Sequence, residues 1–228
     1  MLQAWGRFEI LGQLSGGHRN ACFKVAQKDR LFVAKTTRRS SAALTWLGPV
    51  QEFAQRAGFL VPKLIRSTGG NLSENGWTLE PFLQGRPATQ SEIPQLAPLL
   101  RRFHQLGESH IQRPTFASAK DLLVQTGSGD VDLKDMPKEI VKKCRDAWGK
   151  LPDATPCTIH ADFAPENILV MDGQAPALID WDECRVDTSV FDFDVDIGPE
   201  ISKARLAWEI ACCWEIEPGR ARYLASLF

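Results

Sequence analysis

Residues 157–183, CTIHADFAPENILVMDGQAPALIDWDE, constrain the fold more than any other stretch of the chain. Two short apolar runs flank MDGQ, a turn signal, so they read as strands folded back on each other. Such a hairpin returns Asp180 beside the strand that follows Asn167, and a short loop brings Asp162 towards the same end. Taken singly, these residues have ordinary structural uses: a packed histidine at 160, and turn or cap roles for Asp and Asn. Taken together, the fixed spacing gathers carboxylates and an amide at the ends of two apolar strands.

Upstream, Arg7–Leu14, Ala21–Ala26 and Leu31–Thr37 mix β-branched or aromatic residues with polar ones and are separated by SGGHRN and QKDR. This pattern predicts a three-stranded antiparallel sheet. Ser41–Ala57 carries Leu44, Leu47, Val50 and Ala54 at helical spacing, with Gly48 and Pro49 placed to start or kink the helix midway. GFLVPKLI reads as a turn and strand, and NGWTLEPFL as a further strand running into QGRP. A boundary near Gln84 divides the chain into segments 1–83 and 84–228.

The second segment reads as mostly helical. A stripe of Ile93, Leu96, Leu99, Leu100, Phe103 and Leu106 predicts a helix over 91–107, and Pro137–Trp148 begins like another. Between them TGSGDVDLKD has the composition of a loop. In the C-terminal 28 residues, helical spacing makes Trp208, Cys212 and Leu224 core positions. The fold class expected is α+β.

Composition excludes several functions. With 27 basic and 28 acidic residues in 228, there is no broad positive field for nucleic acid. Apolar stretches are interrupted before the roughly 20 residues a bilayer crossing needs, so no membrane partner is expected. The six cysteines form no CxxC pair and lie beside no histidine at zinc-ligand spacing. The start MLQAWGRFEI lacks a basic-then-apolar signal pattern, so reduced thiols and a cytoplasmic location are expected.

The pattern HxDxxxxN at 160–167, an apolar strand, then IDW at 179–181 resembles the catalytic and metal loops of the aminoglycoside phosphotransferase and choline kinase-like family, distant relatives of protein kinases. The resemblance implies a two-lobed kinase-like fold, an N-terminal antiparallel sheet plus helix, and a mostly helical C-terminal lobe. It implies ATP and Mg²⁺, with phosphoryl transfer to a hydroxyl of a small molecule: an aminoglycoside-, choline- or sugar-like acceptor. Phosphoryl transfer depends on positioning and charge neutralisation. The resemblance assigns Asp162 to the acceptor hydroxyl, and Asn167 and Asp180 to Mg²⁺, a cation that takes oxygen ligands. It also assigns Ser15, Gly16, Gly17 and Asn20 to a phosphate-facing turn, Lys35 to the α and β phosphates, and Glu80 and Phe82 to the adenine-framing hinge. A GG turn alone is equally a plain hairpin.

His160 is implied as a support of the catalytic loop, and Asp187 and Asp192 as braces of it. The family pattern also asks for a helix glutamate paired with Lys35. Glu52 is the candidate, and read as structure alone it is a solvated helix glutamate. Members commonly carry Gly where this chain has Ala161 and a second His where it has Ala164. GxGxxG and DFG strings are absent, which disfavours a protein kinase. A nucleotide-binding pseudokinase with a regulatory role is the alternative from a different class.

Overall fold

The computed structural model describes residues 2–14, 19–193 and 198–228. Its strands are β1 (Glu9–Gln13), β2 (Cys22–Gln27), β3 (Arg30–Thr36), β4 (Trp77–Pro81), β5 (Arg86–Pro87), β6 (Gly127–Ser128), β7 (Val131–Asp132), β8 (Cys157–Ile159), β9 (Ile168–Val170), β10 (Ala177–Leu178) and β11 (Arg185–Asp187). Its α-helices are α1 (Ser41–Ala57), α2 (Ala97–Leu106), α3 (Lys138–Trp148), α4 (Pro199–Ile216) and α5 (Pro218–Ser226). Packing divides the chain into two compact units, residues 1–95 with 164–180, and residues 96–163 with 181–228.

In the first unit β1 to β4 form an antiparallel sheet in sequence order. Its period-2 alternation sends Val25, Phe32, Ala34 and Leu79 to one face, where they bury against Leu2 and Trp5. The expected three-stranded sheet is present, with NGWTLEPFL supplying the fourth strand. α1 starts at Ser40, whose Oγ accepts from the Ala43 N–H at 3.2 Å, and ends at Gly58 with φ +117°. The helix runs through Pro49 without ending there, because Leu44, Leu47, Val50 and Ala54 bury the same face on both sides of it.

The strand expected over 58–65 is reduced to one bridge, Leu60 to Ala177. Pro62 has no N–H to give a ladder. The segment is instead tied by single bonds, Leu60 N to Pro176 O at 2.9 Å and Ile65 N to Leu79 O at 2.7 Å. The hairpin expected around MDGQ forms from β9 and β10, and β5 extends it to three strands.

In the second unit β8 and β11 form an antiparallel ribbon. α2 begins later than expected, at Ala97, after a 3₁₀ turn over Ile93–Leu96. Its end packs so closely on β8 that a Cβ on Gly107 would sit 1.6 Å from Thr158 Oγ1, so only glycine fits. TGSGDVDLKD is not a plain loop: β6 and β7 make a short hairpin turning at Gly129, φ +57°. The core gathers Leu122, Trp148, Ile159, Phe191, Trp208, Ile210 and Cys212, with Leu224 packed against it. The C-terminal stretch forms two helices because Pro218 lacks the N–H to continue α4. Among the described residues no helix is long and apolar enough to cross a membrane.

Candidate active site

Register gathers the candidate residues of the first unit. Lys35 lies opposite Cys22 on β2 and Thr78 on β4, while Glu80 lies opposite Val33. Alternation therefore puts Lys35 and Glu80 on the sheet face opposite Phe32, Ala34 and Leu79. Asn20 stands at the same end of the sheet, since Ala21 and Thr36 exchange bonds of 2.9 and 3.0 Å beside Lys35. Lys35 Nζ meets Asp180 Oδ1 at 2.5 Å, with 15% of the lysine and 38% of the aspartate side chain exposed.

Asn167 and Asp180 belong to the same packing unit as Lys35, late as they are in sequence. The Ile179 N–H donates to Asn167 O at 3.0 Å, so the hairpin fastens the backbone just before Asp180 to Asn167. Asp180 has φ +60°, a left-handed conformation that costs a non-glycine residue about 1 kcal/mol. Glu52 does not take the role sought for it: it pairs with Lys63 at 3.4 Å on the exposed side of α1. Lys35 is held by Asp180 instead.

Asp162 and the residues around it belong to the other unit. Asp162 is exposed, just past the end of β8. The loop that carries it hangs on Asp192, 2% exposed, which accepts from His160 N–H at 2.8 Å, Ala161 N–H at 2.6 Å and His104 Nε2 at 2.8 Å. Burial alone pushes the Asp192 carboxyl up, but the His104 hydrogen bond and charge, with the His160 contacts, outweigh it and leave the group below the usual carboxylate range. Ala161 has φ +69°, which accounts for glycine at this position in the family pattern. His160 is fully buried, its ring edge-on to Trp181 at 4.9 Å.

Asp192 braces the loop of 160–162, but Asp187 holds a different segment. Asp187 accepts from Ala119 N–H at 3.0 Å and from the buried Arg185 Nε at 3.0 Å, and burial leaves its carboxyl above the usual range despite that guanidinium. Ser15, Gly16 and Gly17 lie outside the described residues. Phe82 carries Lys24 Nζ 4.2 Å from its ring centroid, and its N–H donates to Leu31 O at 3.1 Å. Its backbone donor is thus engaged within the sheet. Sequence reasoning missed His104, Gln112 and Arg113. Only His104, beside Phe103 on the apolar stripe of α2, had any signal.

Among the described residues no three or more His, Cys, Asp or Glu side chains gather as a metal site. The one carboxylate and one amide at Asp180 and Asn167 nevertheless suit a hard cation, and the Lys35 ammonium already stands against Asp180 as a positive charge.

Solved structures with the same chain course establish the class, a kinase-like α+β fold. A spectinomycin phosphotransferase in complex with ADP and spectinomycin is 10% identical, with a TM-score of 0.59 over 95% of this chain and 83% of that one. An aminoglycoside phosphotransferase from Alicyclobacillus acidocaldarius is 16% identical, with a TM-score of 0.53 over 95% and 77%. The chain belongs to the phosphotransferase enzyme family, whose model matches residues 11–225. A curated relative, homoserine kinase of Gluconobacter oxydans (strain 621H), is 25% identical over 191 residues, 77% of this chain and 60% of that enzyme. The chain thus spans less than two thirds of that relative's length.

Proposed function

We propose that the protein transfers the γ-phosphoryl group of ATP, with Mg²⁺, to a hydroxyl on a small molecule. The observation that carries this reading is the 2.5 Å pair between Lys35 and Asp180, which gathers a cation for phosphate and a carboxylate for metal beside the Asn167 hairpin. Family membership supports it. In sequence terms residues 1–83 bind nucleotide and residues 84–228 carry the catalytic and acceptor groups. The hairpin of 164–180 packs with the nucleotide-binding part.

Lys35 binds the α and β phosphates, and Ser15, Gly16, Gly17 and Asn20 present backbone and side-chain donors to phosphate oxygens. Asn167 and Asp180 hold Mg²⁺, which when bound supplies charge neutralisation of the polyphosphate. Glu80 and Phe82 frame the adenine. The strand alternation that turns the Phe82 N–H to Leu31 points the Pro81 carbonyl to the outer side of β4, so Pro81 and Leu83 are the backbone groups assigned to the base. Asp162, exposed and acceptor-only when ionised, orients the attacking hydroxyl and takes its proton.

A cationic or many-hydroxyl acceptor fits the acidic residues that share the 160–183 stretch with Asp162, among them Glu166, Asp182 and Glu183. The homoserine kinase and spectinomycin phosphotransferase likenesses make an amino-acid alcohol and an aminocyclitol the first acceptors to try. The test is transfer from labelled ATP with and without Mg²⁺ to L-homoserine, spectinomycin, choline, neutral sugars, anionic sugar acids and a protein extract. Mg²⁺-dependent label in a small acceptor, cationic ahead of anionic, is expected. Label in protein alone, or in nothing, contradicts the proposal.

A further inference from the structure

Arg113 is 1% exposed, yet it lies on an irregular segment between α2 and β6 and is not among the residues assigned above to nucleotide, metal or the acceptor hydroxyl. Its Nη1 donates to three backbone carbonyls, Trp181 O at 3.1 Å, Asp182 O at 2.8 Å and Cys184 O at 3.0 Å. Its guanidinium also stacks 4.5 Å from the centroid of Phe116. One residue earlier, Gln112 grips the next position like a neighbouring strand. Its Nε2 donates to Val186 O at 2.7 Å, and its Oε1 accepts from Val186 N–H at 2.9 Å and Arg113 N–H at 2.9 Å.

The turn so held joins Asp180 to β11. Because Arg185 pairs with Ile159 in the ribbon, residues 182–184 stand at the same end of it as His160 and Asp162. The Trp181 ring against His160 fixes that end further. Three carbonyls converging on one buried nitrogen leave the backbone of 181–184 little freedom, so the half-exposed Asp182 leaves the turn in a set direction, while the Glu183 carboxylate accepts from Cys212 Sγ at 3.7 Å.

We propose that Arg113, assisted by Gln112, is a positioning residue for the acceptor: it fixes the turn of 181–184 that carries Asp182 at the ribbon end where Asp162 lies. This rests on the phosphotransferase reading. A group displaced by about 1 Å can cost on the order of 10²-fold in rate, so loosening this turn acts on acceptor use while leaving the nucleotide-binding sheet alone.

The experiment compares Arg113→Met, Arg113→Lys and Gln112→Ala with the unaltered protein. It uses circular dichroism for folding, calorimetric ATP affinity, and kcat and KM for whichever acceptor of the panel, L-homoserine first, accepts phosphate. Arg113→Met, which keeps an apolar stem but no donor, is expected to raise acceptor KM by at least about 10-fold with ATP affinity changed less than about 3-fold. Arg113→Lys, which restores a cationic donor, is expected to fall between Met and the parent. Folded Arg113→Met with the parent acceptor KM, or with equal losses for acceptor and ATP, overturns the proposal. If Arg113→Met does not fold, Gln112→Ala carries the test, with a smaller rise of about 3-fold expected and a parent KM overturning it. Absence of turnover in the parent sinks the phosphotransferase reading instead. The clamp is then judged by amide hydrogen exchange, which must quicken over 181–186 in Gln112→Ala while β2 and β3 hold; unchanged exchange refutes it.

Discussion

Replacing Asp192 by Asn tests how the loop that carries Asp162 is held. The carboxylate accepts three hydrogen bonds of 2.6–2.8 Å, from His160 N–H, Ala161 N–H and His104 Nε2, at a residue 2% exposed. Donors occupy both oxygens, two on Oδ2 and one on Oδ1, so either orientation of an amide turns its NH₂ group onto at least one N–H. The charge that strengthens all three bonds is lost as well. Hydrogen bonds to a charged group contribute about 1.5–3 kcal/mol each, so turning at least one of them into a donor–donor contact and taking the charge from the rest is expected to cost Asp192→Asn about 3–5 kcal/mol. That is a large share of the ~5–15 kcal/mol that holds a typical domain. Urea unfolding at pH 7 measures it. Because the folded carboxyl titrates below its unfolded value of about 3.9, its stabilisation is fully present above that pH and is lost as pH falls through the folded pKa. The difference between the parent and the Asp192→Asn variant should therefore narrow only below about pH 4. A loss under about 1 kcal/mol at pH 7, or a difference already vanishing by pH 5, would refute the argument.

Ala161→Gly should stabilise by about 0.5–1 kcal/mol, because Ala161 sits at φ +69° and glycine meets no steric penalty there; a urea midpoint at or below the parent's contradicts this. Asn167→Ala and Asp180→Ala should each flatten the Mg²⁺ dependence of ATP affinity measured by calorimetry. An unchanged dependence in both removes them from the metal assignment.

Much of the fold was legible because it is written in local periodicity. The alternation over 7–37 and 75–83, the helical stripes of α1 and α2 and the proline that opens α3 are patterns within one element, and the elements form where those patterns lie. The 58–65 segment misled because its apolar run looks like a strand, while Pro62 and single bonds to Pro176 and Leu79 decide its course. TGSGDVDLKD looked like a loop because a hairpin of two-residue strands leaves almost no alternation to read. The site divides the same way. Asp162, Asn167 and Asp180 stand in one short string, but the partner of Lys35 lies 145 positions away. A helix glutamate such as Glu52 is indistinguishable by pattern from one that faces Lys63. Arg113 had no signal at all, since its partners are backbone carbonyls, which every residue carries.

The central claim is that Asp162 acts on the acceptor and the Lys35–Asp180 group on the nucleotide. Asp162→Asn separates the two most directly, because Asn keeps the size and one oxygen but neither takes the proton nor supplies the negative charge. At this exposed position it opens no cavity. With an acceptor in hand, calorimetric affinity for ATP with Mg²⁺ and the single-turnover transfer rate are measured side by side on parent and variant. The account predicts unchanged nucleotide affinity and a rate lower by roughly 10²- to 10⁴-fold. Transfer at the parent rate would contradict it, as would a rate loss accompanied by an equal loss of ATP binding.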